Sequence, residues 1–173
     1  MKKYDQIKRY VSKYLTNDYY SEDIVNKLSI PGTGPGKLYG MAKVHKTDTP
    51  VRPVCSMINT PEYELAKFLD NLIKPYIPNQ YMLFSTKQFL DKLKDFSILP
   101  GDKMVSFDVV SLFTNVPLIE TINLVANYIY ARNDPPHFSK TVFKNMMKIA
   151  TQGYFLHKNI LYQQIDGVIM GSH

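Results

Sequence analysis

Apolar residues recur at helical spacing from the start of the chain. Tyr4, Ile7, Tyr10 or Val11, Tyr14 and Leu15 share one face of residues 2–15. Lys2, Lys3, Lys8, Arg9 and Lys13 lie mostly on the other, which predicts an amphipathic basic helix. A short helix follows at Glu22–Leu28, with Ser21 as its N-cap. Ile30–Gly36, IPGTGPG, is dense in Gly and Pro and reads as a loop. It lacks the Gly-Lys-Ser/Thr ending of a phosphate-binding P-loop. Lys37–His45 reads as a strand, Lys46–Pro50 as a turn and Val51–Met57 as a second strand, together a hairpin. Thr60 and Pro61 suit the N-cap and first position of a helix that presents Leu65, Phe68, Leu69, Leu72 and Ile73 and stops at Pro75.

The second half alternates in the same way. Ser85 and Gln88 have capping-box spacing and open a helix to about Phe96, which is expected to bury Phe89, Leu90 and Leu93. Pro100-Gly101 turns the chain into a strand at Met104–Phe107, which Asp108 interrupts. Pro117 starts a helix over Leu118–Tyr130, striped by Ile119, Ile122, Val125 or Ala126, and Ile129. Ser139 caps another over Lys140–Ala150. Two short strands, Tyr154–Leu156 and Ile160–Gln164, flank a turn at His157-Lys158-Asn159. A glycine-bearing turn, Asp166–His173, comes last. Helices interspersed with short strands make this an α+β pattern, and no internal repeat is visible.

Composition narrows the classes. At 173 residues, 45% hydrophobic, the chain has the size and apolar content for a real core. The net charge of +6 favours polyanions such as nucleic acid, although a mildly basic soluble protein has the same balance. One cysteine, Cys55, excludes an internal disulfide, fits a reducing compartment and suits a small buried hydrophobe. The opening MKKYDQIKRY lacks the apolar run of a signal peptide, and no run approaches bilayer-spanning length.

Two stretches carry candidate chemistry. Asp108 stands among Phe107, Val109 and Val110. A carboxylate buried there would cost several kcal/mol unless paired or metal-bound; the plain alternative is a solvent-facing Asp where a strand leaves its sheet. Phe113 follows five residues later, a large ring close to the acid once the strand bends. The hairpin concentrates Lys37, Lys43, His45, Lys46 and Arg52 within sixteen residues. Arg offers a planar fork and Lys a point charge to phosphate oxygens. An exposed, merely solubilising hairpin has the same residues.

Together these stretches resemble a reverse transcriptase, most closely the Penelope-like retroelement type. Leu38–Lys46 with Pro50–Val54 resembles the fingers hairpin, and Thr60-Pro61 through Lys67 the helix after it. Ser106–Pro117, SFDVVSLFTNVP, resembles the first catalytic motif of the palm, and Tyr162–Ser172 the palm motif that abuts template and incoming nucleotide. The resemblance spans about Gly36 to Ser172. It implies a truncated right-hand polymerase: an N-terminal helical segment (1–30), a fingers-like region (31–101) and the first part of a palm sheet (102–173). It also implies roles. Asp108 and the main-chain carbonyl of Val109 would ligate Mg2+ in a two-metal site. Arg52, with Lys43 or Lys46, would grip the triphosphate of a deoxynucleotide. Phe113 would exclude a 2′-hydroxyl. Met170 and Gly171 would face nucleotide and template. The implied partners are an RNA template, a DNA primer and deoxynucleoside triphosphates, without a membrane, in the nucleus.

The departures set the expectation for this chain. The family has paired aspartates on a second palm strand after the glycine turn, and the sequence stops before them. His173 stands where the family generally has proline. Asp108 by itself would not assemble a two-metal site, so the chain is expected to be inactive alone. A different class of reading is a non-enzymatic nucleic-acid-binding remnant of a retroelement. A third is an α+β domain without surviving activity.

Overall fold

The computed structural model describes residues 5, 7, 9, 11, 13–15, 20–29, 32, 34–78, 80 and 82–171. In chain order its elements are α1 (helical at the described positions of 5–14), α2 (Glu22–Ser29), β1 (Gly36–Ala42), β2 (Val51–Ser56), α3 (Tyr63–Ile73), α4 (Thr86–Lys94), α5 (Leu112–Asn115), α6 (Leu118–Tyr130), α7 (Lys140–Thr151), β3 (Tyr154–His157) and β4 (Ile160–Gln163). A 3-10 turn, Lys74–Tyr76, follows α3. The protein is α+β, as the pattern predicts. Its chain divides into two compact units, Met1–Pro75 with Ser111–His173, and Tyr76–Val110.

The first unit has a helical core and a small sheet. Ile122, Ala126 and Ile129 recur along one stripe of α6 and are buried. α7 begins where Ser139 Oγ accepts the Val142 N–H at 3.4 Å. It buries Val142, Phe143, Met146, Ile149 and Ala150. α7 packs against α6 and α3, and α2 against α3. Ile7, Val11 and Leu15 are also buried, as the α1 stripe requires, with Leu65 and Leu69 of α3. Each such side chain contributes roughly 1.5–3 kcal/mol through burial.

The sheet runs β2-β1-β3-β4. β1 pairs antiparallel with β2, with Leu38 opposite Cys55 and Met41 opposite Arg52. β1 pairs parallel with β3, with Gly36 beside Phe155. β3 and β4 form an antiparallel hairpin closed by Lys158 (φ 50°) and Asn159 (φ 62°). Two left-handed residues make the tight turn whose twist matches the strands. One face of the sheet covers a cluster of Cys55, Met57 and Ile169, flanked by Leu38, Tyr63 and Phe155.

The second unit is built differently. α4 is well capped: Ser85 Oγ accepts the Gln88 N–H at 3.1 Å, and Gln88 Oε1 accepts the Phe84 N–H at 2.8 Å. Yet none of the unit's described residues is fully buried.

Several expectations are corrected. Phe89 and Leu90 are exposed and Leu93 only half-buried, because α4 has a stripe but no core beneath it. Met104–Phe107 forms no strand; a strand needs a hydrogen-bonded neighbour, and among the described residues nothing pairs with this one. β1 ends at Ala42, so Lys43, His45 and Lys46 sit on the connecting loop, which tightens through Lys46 N–H to Lys43 O (3.0 Å) and Thr49 N–H to Lys46 O (3.1 Å). α3 starts at Tyr63, not at Thr60-Pro61; Thr60 is buried in the preceding turn, where its N–H donates to Met57 O at 3.1 Å. Ser111, in a left-handed conformation at φ 52°, starts the one-turn helix α5, which the pattern did not predict. Lys2, Lys3, Tyr4, Lys8, Tyr10, Ser172 and His173, and parts of the Ile30–Gly36 loop, lie outside the described residues.

Candidate functional site

The first unit gathers three of the four resembling stretches around the turn that precedes Gly171. Val168 donates its N–H to Phe113 O at 2.7 Å. Met170 O accepts the Cys55 N–H at 2.8 Å. The turn is thereby clasped between α5 on one side and β2 on the other. Two residues of chain span roughly 7 Å, so the backbones of Phe113 and Cys55 are held close together although 57 residues of sequence lie between them.

Glycine is required twice in this clasp. Gly167 has φ 68°, and a Cβ there would fall 2.3 Å from Phe113 O. Gly171 has φ 105°, and a Cβ would fall 2.5 Å from Cys55 O. Both are left-handed positions that disfavour any side chain, and both let backbone meet backbone. The glycines of this stretch are therefore spacing elements between α5 and β2.

The hairpin brings the cations. Pairing of Met41 with Arg52 and of Lys37 with Ser56 sets Lys37, Tyr39, Met41, Arg52 and Val54 on one face by the strand period of two. Leu38 and Cys55 alternate onto the opposite face, against the buried cluster. Arg52 and Lys37 are exposed, Lys43 is half-buried, and His45 and Lys46 are exposed on the loop. Among the described residues no carboxylate forms an ion pair with any of them. The loop also carries one acid, Asp48, at φ 68°. Lysines and an arginine that form no ion pair among the described residues can donate to phosphate oxygens without first breaking one.

Phe113 stands on α5, 40% exposed. Met170 is half-buried and Gly171 exposed. Asp108 and Val109 belong to the second unit. Asp108 is exposed, and its Oδ1 accepts the N–H of Val109 at 2.9 Å. That bond holds the carboxylate against its own backbone and leaves its remaining lone pairs to solvent. It is the solvent-facing arrangement, not the buried acid among apolar neighbours.

The two-metal chemistry implied by the resemblance can be tested against these residues. Among the described residues no group of three or more His, Cys, Asp and Glu side chains comes together to hold a metal ion. One carboxylate and one main-chain carbonyl do not make a two-metal site, so the described residues do not by themselves fit that group.

Cys55 is buried, and burial pushes its thiol up from the ordinary range, with the negative charge of Glu62 adding to the effect. It is neutral packing material beneath β2, as the sequence suggests. The pattern did not point to a cleft beside the clasp, lined by Thr114–Ile119, Thr151, Gln152 and Gln163–Gly167. The adjacent amides Gln163-Gln164 next to Asp166-Gly167 were the available signal. No helix among the described residues is long and apolar enough to cross a membrane. No protein-family model, curated protein or solved structure matches this chain.

Proposed function

We propose that the chain forms the fingers and the first part of the palm of an RNA-directed DNA polymerase, as its resemblance to Penelope-like reverse transcriptases implies, and that by itself it binds nucleic acid without extending a primer. The observation that carries this reading is the clasp: the fingers-like hairpin, the Phe113 stretch and the glycine turn, remote in sequence, meet through Val168–Phe113 and Met170–Cys55 hydrogen bonds. On this reading Arg52, Lys43 and Lys46 hold phosphates, Phe113 and Met170-Gly171 border the nucleotide, and Asp108 with Val109 waits for further carboxylates before Mg2+ can be held. The sequence contains no adjacent pair of aspartates, and no metal step is assigned to this chain. RNA template, DNA primer and deoxynucleotides, and action in the nucleus, belong to the complete enzyme in this proposal.

A second reading, a non-enzymatic nucleic-acid-binding remnant of a retroelement, is supported by the net charge of +6 and the basic residues of the β1–β2 hairpin and its loop. Two assays decide. Filter binding of a primer–template duplex across a salt series should give affinity that falls steeply with salt, because neutralised phosphates release counterions. Arg52→Ala should reduce the slope by about one phosphate contact. Absence of binding at low salt refutes both readings. Primer extension by this chain alone with Mg2+ and deoxynucleotides should yield no product, and robust synthesis refutes the inactivity. Supplying the acidic palm strand as a second polypeptide should restore Asp108-dependent synthesis only if the polymerase reading holds.

A further inference from the structure

Beside the clasp, α5, the start of α6, the end of α7 and the turn after β4 enclose a cleft of about 710 Å³. That volume lies within the range of sites for small organic groups. Its walls are of two kinds. Ile119 and Ile165 stand in it 57% and 89% exposed, large apolar surfaces that nothing among the described residues covers. Next to them stand Gln163, Gln164 and Asp166. Among the described residues no Lys, Arg or His lines the cleft. A phosphate has no cation to meet there, and the one charged group is a carboxylate that would repel it. The cleft therefore suits a flat group with apolar faces and a polar, hydrogen-donating edge.

A nucleobase is such a group: its faces pack on apolar or aromatic side chains, and its edge is read by amides and carboxylates. We propose that this cleft receives one unstacked base of single-stranded nucleic acid and that Asp166 selects bases carrying an exocyclic amino group. A carboxylate accepts from cytosine N4 but faces only an acceptor, O4, on uracil or thymine. Gln163 can serve the remaining base edge with its donor and acceptor. Gln164 is a positioning residue: its Nε2 donates to the main-chain O of Asp166 at 2.8 Å and its N–H to Gly153 O at 3.1 Å, which fixes the turn that carries the carboxylate. The inference rests on the nucleic-acid reading above and adds a site separate from the phosphate-holding hairpin: the hairpin supplies affinity, the cleft preference.

The test is fluorescence anisotropy with the whole chain and labelled oligo(rC) and oligo(rU) of about twelve nucleotides, at neutral pH and fixed salt. Oligo(rC) should bind about tenfold tighter, as one well-made base contact allows. Asp166→Asn should bring the two within about twofold, by weakening oligo(rC) and not weakening oligo(rU), and leave the salt slope unchanged. Gln163→Ala should lower the preference in part, by the same readout. Arg52→Ala should weaken both oligonucleotides and keep their ratio. Equal binding by the unaltered chain, or a ratio that survives Asp166→Asn, overturns the cleft proposal. Binding of neither oligonucleotide overturns the nucleic-acid reading itself.

Discussion

Replacing Gly171 by alanine tests whether the turn is held to β2 as described. The residue has φ 105°, where a side chain is strained, and the new Cβ would fall 2.5 Å from Cys55 O and 3.3 Å from Val54 Cγ1. The nearest obstacle is backbone inside a paired strand, so the turn must give way, not the strand. Left-handed strain costs about 1–3 kcal/mol, and loss of the Cys55–Met170 bond removes about 1 kcal/mol. A local loss of about 2–4 kcal/mol corresponds to roughly 30–900-fold easier opening. Amide hydrogen exchange reads this directly: protection of the Cys55 N–H, which donates to Met170 O at 2.8 Å, should fall by that factor. Protection of Leu38, its partner across the ladder, should fall less. Gly101→Ala is the control. Gly101 has φ 101° but nothing within 4 Å of its Cβ position, so it brings strain without the clash and should leave Cys55 protection unchanged. Cys55 protection unaltered within twofold in Gly171→Ala would refute the clasp, and with it the main support for the functional reading.

Two further predictions concern buried groups in β2 and in the turn that follows it. The Cys55 thiol is held up by burial and by Glu62, so the folded state keeps its proton where the unfolded chain has lost it; stability is full below the ordinary thiol range and declines as pH rises through it. Melting temperature measured from neutral to alkaline pH should therefore fall more for the unaltered chain than for Cys55→Ala, and parallel curves would refute this. Thr60 Oγ1 is buried and has no hydrogen-bond partner among the described residues; Thr60→Val keeps the shape, removes a desolvation cost of about 1–3 kcal/mol, and should raise the melting temperature by several degrees. A lower melting temperature would mean that the hydroxyl is satisfied.

Legibility in the sequence followed the range of the forces involved. α6 and α7 have strong local signals, Pro117 ahead of one and Ser139 capping the other, over stripes that end in real burial except at Ile119, which is exposed, and their bounds fall within a residue of expectation. The β3–β4 turn at Lys158-Asn159 was likewise local. What the pattern could not carry was partnership. The parallel pairing of Gly36 with Phe155 joins residues more than a hundred positions apart, and no local propensity encodes it. The same holds for the link from Met170 to Cys55. Thr60 shows the opposite failure: a good N-cap residue was taken into the core, and the helix started at Tyr63 without a side-chain cap. The glycines at 167 and 171 were visible as a turn, but their reason, two close backbone approaches, was not.

Asp108 marks where local pattern and tertiary burial part company most clearly. The segment around it has the composition of a strand, yet Phe107 is 93% exposed and no ladder among the described residues holds it. Burying such a ring contributes roughly 1.5–3 kcal/mol, and Met104, Val105, Val109 and Val110 are exposed beside it. The second unit buries no described side chain fully, so its stability to local opening lies at the low end of what a domain offers. A carboxylate on such a segment is not pre-organised, whatever its charge. If the segment pairs as a strand, the period of two puts Val105, Phe107 and Val109 on one face and Met104, Ser106, Asp108 and Val110 on the other. Covering the apolar face would then turn the acid away from the new core, toward whatever lies across the sheet. Ordering of Asp108 and burial of Phe107 are thus one event. A metal-ligand role for this acid would need such a strand partner first, which is why the proposed function includes no synthesis by the chain alone.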